Sequence, residues 1–192
     1  MFKTIYFIGL ITIFGIRLWY RWRARNNEIV VSRSSPLEIA LLALGFVGMV
    51  LVPNVYVFSP LLAFADYSLP EWAGWLGTAV FAAALWLLWR SHADLGRNWS
   101  QTLEVRKGHQ LITSGVYKRI RHPMYAAFLL WGLALPLLLH NWIAGWSHLV
   151  AFLPLYFLRV PREEQLMHEQ FGEAYHAYME RAGRVLPRVF QK

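Results

Sequence analysis

The sequence predicts an all-α, polytopic membrane protein with five transmembrane helices and two polar segments on one side of the bilayer. Three observations carry this. Of 192 residues, 57% are hydrophobic and only 16% are charged, whereas an ordinary soluble domain holds about 25% charged residues. Apolar runs long enough to cross a bilayer recur along the chain. Eighteen of the 19 Lys and Arg residues fall on one side of the resulting topology, which is the positive-inside pattern. The composition excludes a disordered chain, a collagen-like fibre and a soluble globular enzyme. With no Cys, disulfides, iron–sulfur clusters, thiolate zinc sites and a cysteine nucleophile are excluded too. The net charge of +8 is accounted for by topology, so no nucleic-acid partner is expected.

The first span covers about residues 4–20, interrupted only by Arg17 near its end. A secretory signal fits poorly: one Lys precedes the run, no small-residue cleavage site follows it, and Arg21, Arg23 and Arg25 lie immediately downstream. The second span, 37–58, carries Glu38 at its edge and Pro53 inside, where a kink is expected. The third, 72–89, holds no charge. Residues 124–157 form an uncharged stretch of 34 residues, about 51 Å as one helix, against a hydrocarbon core of about 30 Å. A hairpin of two spans, 123–139 and 142–158, turning near His140-Asn141 and bent at Pro136 and Pro154, resolves that excess. Seven basic residues lie between Arg90 and Arg121 and six between Arg159 and Lys192. The amino terminus is therefore expected outside and the carboxyl terminus in the cytoplasm, with residues 1–192 forming one membrane domain.

The polar residues concentrate in a connector, 90–122, and a carboxyl-terminal helix and tail, 159–192. In the connector, Gln101 to Val105 is extended in character and Lys107-Gly108-His109 reads as a tight turn. Pro123 then opens the fourth span. A glycine-bearing loop leading into a helix can present N–H groups to an anion, which alone is a weak signal. His122 stands where that helix enters the membrane. No second His has metal-ligand spacing to it, so no metal is expected. In the tail, Arg159 to Glu164 ends the fifth span and opens a further amphipathic helix through Met167, Phe171, Ala174, Tyr175 and Tyr178. Read singly, Glu163 and Glu164 suit a helix's first turn and Arg159 suits a snorkelling end-of-span arginine. Their combination beside His122 points instead to a site.

The run Gly108-His109-x-Leu111-x-x-x-Gly115-x-Tyr117-x-x-x-Arg121-His122-Pro123-x-Tyr125 and the later Arg159-x-x-x-Glu163-Glu164, Phe171-Gly172-x-x-Tyr175-x-x-Tyr178 and Pro187 form a bipartite signature. It resembles the isoprenylcysteine carboxyl methyltransferase family, in particular its short five-span prokaryotic members, over about residues 87–190. Arg-His-Pro-x-Tyr alone is shared with phospholipid methyltransferases and, loosely, sterol reductases. The resemblance implies S-adenosylmethionine as methyl donor in a cytoplasmic cofactor pocket capped by the carboxyl-terminal helix. It implies cofactor contacts from Glu104, His109, Gln110, Leu111, Ile112, Tyr117, His122, Pro123, Met124, Tyr125 and Glu163, with Arg159 facing the substrate and Arg159, Glu163 and His122 at the chemistry. The family's glutamine falls on Glu104 only through a shortened loop, and its glycine two positions after the tyrosine is Ala127 here.

Such a site would methylate a carboxylate, which is ionised at neutral pH and needs no general base. It needs in-line positioning and the exclusion of water. Arg159 suits a carboxylate by two parallel hydrogen bonds. An amine acceptor would need a base, and His122 or Glu164 would then be candidates. The implied partner is a lipophilic, prenylcysteine-like carboxylate entering from among membrane lipids. The alternatives are a phospholipid amine N-methyltransferase, a nicotinamide-dependent reductase and a non-catalytic membrane adaptor.

Overall fold

The computed structural model describes residues 1–25, 29–32, 35–99, 104–106, 108 and 110–188. Seven α-helices form most of it: α1 (Phe2–Ala24), α2 (Pro36–Phe46), α3 (Val52–Phe58), α4 (Glu71–Leu95), α5 (Pro123–Leu139), α6 (Trp142–Phe171) and α7 (Glu173–Arg181). Beside them lies a short antiparallel ribbon, β1 (Ile29–Ser32) paired with β2 (Glu104–Arg106). The extended character of Gln101 to Val105 foretells β2 in part. Its partner β1 carries no comparable signal and was not expected.

Among the described residues, four helical segments have the length and hydropathy to cross a membrane: Phe2–Ala24, Pro36–Phe58, Glu71–Leu95 and Trp142–Phe171. The chain is an integral membrane protein. The fourth expected span corresponds to α5, which has 17 residues and a rise of about 26 Å. This helix packs between α4 and α6, and most of its side chains are buried, Ala134 and Leu135 completely. Small residues allow the close approach. A Cβ on Gly77 of α4 would fall 2.7 Å from Leu137 Cβ, and one on Gly145 of α6 would fall 2.7 Å from Pro136 Cα. Where lipid removes the hydrophobic drive between helices, such backbone proximity supplies van der Waals contact.

The kink expected at Pro53 takes the form of a π-helical segment, Val47–Leu51, between α2 and α3. Pro53 offers no N–H, and the turn before it widens so that Val52 N–H reaches the Val47 carbonyl, five residues back. Ser147 of α6 docks there, its hydroxyl donating to the Gly48 carbonyl at 2.8 Å.

The turn after α5 falls where the sequence places it. His140 adopts the left-handed conformation, and fully buried Asn141 caps α6. Its carbonyl oxygen accepts from Ile143 and Ala144 N–H at 3.1 and 2.8 Å. Its amide donates to the Leu62 carbonyl at 2.7 Å and Asp66 Oδ1 at 2.8 Å, and this donation holds the Asp66 carboxyl below its ordinary range. Asn141→Ala removes the cap and strands buried partners, so a loss of about 2–4 kcal/mol is expected. Thermal unfolding in detergent reads this, and Asn141→Asp, which retains the cap acceptor, is expected to fall between. Equal midpoints for all three proteins would remove Asn141 from the fold's supports.

The carboxyl-terminal region differs from the expectation. No new helix opens at Arg159: α6 runs unbroken from Trp142 through Pro154 and Pro161 to Phe171. Proline is tolerated within a bundle where neighbouring groups re-satisfy the freed backbone carbonyls. Glu163 and Glu164 are therefore deep inside a helix, and the first-turn dipole account of them fails. Gly172, with φ +50, breaks the helix, and α7 turns back beneath the connector.

Candidate active site

Three segments meet along the carboxyl-terminal half of α6. Pro123 sets the first turn of α5, with His122 just before it as the N-cap residue, at φ -124 and ψ 61. Residues 115–118 form a 3-10 turn anchored by Asp94, whose Oδ2 accepts from Val116 N–H at 2.9 Å. At Gly115, φ is +59, and a Cβ would collide with that Asp94 carboxylate. The glycine of the signature is thus required by both backbone and space.

The tail closes the arrangement. Arg121 N–H donates to the Gly183 carbonyl at 2.8 Å, and His122 N–H donates to the Arg184 carbonyl at 2.9 Å. Tyr178 OH donates to the Tyr117 carbonyl at 2.6 Å; burial pushes its pKa up to about 12, so it remains a donor. Glu164 is the hub. It accepts from Arg121 at 2.9 Å and from Arg184 at 2.6 Å, and meets His122 Nε2 at 3.2 Å. The Glu164 carboxylate raises the Arg184 guanidinium above its ordinary range. Arg121 also donates to the Met179 and Ala182 carbonyls. With three cationic or donor groups upon it, Glu164 holds α7 and the tail to the connector and is not a free base.

Glu163, one residue earlier, faces another way. Its Oε1 accepts from Tyr125 OH at 2.7 Å and from Arg159 Nε at 2.9 Å, and its Oε2 lies 3.6 Å from His122 Nδ1. The side chain of Glu163 retains 22% exposure, while that of Arg159 has 9%. Arg159 also pairs with buried Glu38 of α2 at 3.5 Å. His122 lacks an acidic neighbour in sequence, but it is flanked by both glutamates once α6 passes it.

A cavity of about 380 Å³ opens at this junction. Its polar end holds Glu163, His122, Arg159 and Tyr125; its other wall is apolar, with Phe46, Met49, Phe128, Phe152 and Leu155 among the residues facing it. Of the residues marked by the signature, Gln110, Leu111, Ile112, Tyr117, His122, Pro123, Met124, Tyr125, Arg159 and Glu163 all line this one cavity. His109 lies outside the described residues. Glu104 is placed by its backbone in β2, paired with Ser32. Sequence reasoning missed Glu38, the Arg121–Glu164–Arg184 cluster, and Arg17, which lines the cavity from α1. Arg121 lies inside the signature, but Glu38 and Arg17 read as ordinary end-of-span charges.

Fold and site together define a polytopic membrane protein with a cavity that is charged at one end and apolar along its wall. The model of the isoprenylcysteine carboxyl methyltransferase (ICMT) family matches residues 75–169, just under half of the chain, and the similarity to that family is carried by this region. It is 32% identical over 96 residues to protein-S-isoprenylcysteine O-methyltransferase B of Arabidopsis thaliana, covering 49% of each chain. To the Homo sapiens protein-S-isoprenylcysteine O-methyltransferase it is 33% identical over 96 residues, 49% of this chain and 34% of the human one. The chain spans half or less of the length of these relatives. The solved structure of the eukaryotic intramembrane Ras methyltransferase ICMT superposes with a TM-score of 0.52 at 23% identity, covering 83% of this chain and 55% of the other. That likeness shows the fold.

Proposed function

We propose that this protein is a membrane-embedded carboxyl O-methyltransferase that uses S-adenosylmethionine to esterify a lipophilic carboxylate of the prenylcysteine type. The observation that carries the reading is the single cavity joining the Glu163–Arg159–His122 group to an apolar wall between helices. A polar head and an aliphatic tail fit one continuous space of this kind.

The donor set fits the cofactor. Glu163 is partly exposed and would hold the ammonium; Leu111, Ile112 and Tyr117 would flank the adenine; aromatic faces tolerate a sulfonium. When bound, S-adenosylmethionine supplies an electrophilic methyl group. The protein's own tasks are orientation and exclusion of water. Arg159 is held by Glu163 and Glu38, so its guanidinium is fixed in place and only partly available. It can aim an acceptor carboxylate without fully quenching its nucleophilicity. Both His122 nitrogens face glutamates, and Glu164 is occupied by two arginines. With these bases engaged, an acceptor that needs no deprotonation is favoured over an amine.

Incubating the purified protein with methyl-labelled S-adenosylmethionine and farnesylcysteine is expected to yield label released as methanol by base. Arg159→Ala is expected to cut kcat/KM for the acceptor by roughly 10- to 100-fold, as loss of a charge-assisted hydrogen bond implies, with cofactor affinity nearly unchanged. Cofactor binding without methanol release would discard the prenylcysteine acceptor, and base-stable methylation of phospholipid amines would transfer the activity to nitrogen.

The same reading takes α5 as a fifth span, with the amino terminus outside and the site cytoplasmic. Because the chain has no native cysteine, single-cysteine labelling tests this cleanly. In oriented vesicles, Ser68→Cys is expected to react with an impermeant maleimide from outside and Glu173→Cys only after permeabilisation. The reverse pattern overturns the orientation, and labelling of both from one side overturns the odd number of spans.

A further inference from the structure

Arg159 is not the only guanidinium in the cavity. Arg17 of α1 lines the same space, half-buried, with its guanidinium 5.8 Å from the Phe128 ring centroid and 5.9 Å from that of Trp99. Among the described residues, no carboxylate lies within ion-pair distance of Arg17, while Arg159 already has two. The two arginines are near enough to repel one another. The requirement for positive charge at the membrane face is met further along by Arg21, Arg23 and Arg25. Arg17 sits a full helical turn inward of them, and its head remains at the cavity wall. A guanidinium withdrawn from water without a carboxylate is costly, and two ring faces offset only part of that. An anion entering the cavity would complete its surroundings.

We propose that Arg17 is a second carboxylate-binding residue, which takes the charge of the acceptor while Arg159 fixes its orientation. The inference rests on the reading of the cavity as a site for a lipophilic carboxylate. The neighbours of Arg17 support the acceptor as the source of that carboxylate. Ile13 and Phe14 precede it on α1, and they line the cavity with Phe128; this is a wall for an aliphatic tail. The methionine carboxylate of the cofactor is the other source with the same chemistry. Glu163, Leu111, Ile112 and Tyr117, which suit the rest of the cofactor, come from α6 and the connector.

The test is an equilibrium binding measurement in detergent, read by fluorescence without turnover. The probes are N-dansyl-S-farnesylcysteine and its carboxamide, with S-adenosylmethionine affinity taken separately by calorimetry. The wild-type protein is expected to prefer the carboxylate at least tenfold. Arg17→Gln is expected to reduce that preference below threefold while leaving the cofactor Kd within twofold, and Arg17→Lys to restore part of it. Wild-type protein binding the two probes equally well or equally poorly would overturn the proposal, as would a preference that survives Arg17→Gln. Weakened cofactor binding with the preference retained would overturn it by assigning Arg17 to the cofactor's carboxylate. An Arg17-dependent preference in a protein that methylates neither probe would uphold the carboxylate site and remove the methyl-transfer reading.

Discussion

Glu164→Ala is expected to release the carboxyl-terminal clasp and to lower stability by about 3–5 kcal/mol, the range for removing one partner of a buried ion pair. Arg121 and Glu164 have side chains only 7% and 8% exposed, so Arg121 would stay buried without its carboxylate. The Met179 and Ala182 carbonyls that also accept from Arg121 belong to the segment the clasp holds, so they would loosen with it. Arg184 is 48% exposed, and Arg184→Ala is expected to cost under about 1 kcal/mol, as exposed pairs do. Thermal unfolding separates the two variants. Limited proteolysis supplies the second readout, with cleavage near Gly172 expected to accelerate in Glu164→Ala alone. Unchanged melting and an unchanged digestion pattern would show that the backbone bonds of Arg121, His122 and Gly183 hold the tail unaided.

The clasp marks where sequence reasoning stops. Four membrane-length apolar helices were legible because bilayer thickness dictates the length of an apolar run, and the α5–α6 turn because a 34-residue stretch exceeds it. Most of the candidate site was legible because the signature residues have fixed spacing, and ten of them line one cavity. Other features depend on which helix passes which. Glu38 reads as a charge at a span's edge and becomes a site residue only because α2 packs on α6. Arg17 fits a positive-inside arginine until α1 is seen to bring it beside Trp99 and Phe128. The continuity of α6 through Pro161 was hidden for a similar reason. A proline argues for a boundary in isolation, and only the surrounding bundle makes an unbroken helix tolerable. Correcting that boundary changes the meaning of Glu163 and Glu164. Adjacent on one helix, they point in different directions, so that one holds the tail and the other faces the cavity.

That division makes Glu163→Gln the sharpest test of the site. The amide keeps the shape and an acceptor for Tyr125 OH, now 2.7 Å away, but it removes the charge beside Arg159. If Glu163 holds the ammonium of S-adenosylmethionine, that ion pair is reduced to a hydrogen bond from the ammonium to an uncharged amide. A loss of roughly 1.5–3 kcal/mol follows for a hydrogen bond to a charged group, or about 10- to 100-fold in Kd. Arg159 would simultaneously lose one of its two carboxylates and become more available to an incoming one. Acceptor binding is therefore expected to hold or to tighten in the variant whose cofactor binding fails. Calorimetry with S-adenosylmethionine and fluorescence titration with the farnesylcysteine probe read the two effects separately. A variant that merely misfolds would lose both ligands together, and a Glu163 that only braces Arg159 would leave cofactor affinity intact. Opposite signs on the two ligands can arise only if one carboxylate both receives the cofactor and restrains the arginine that receives the acceptor.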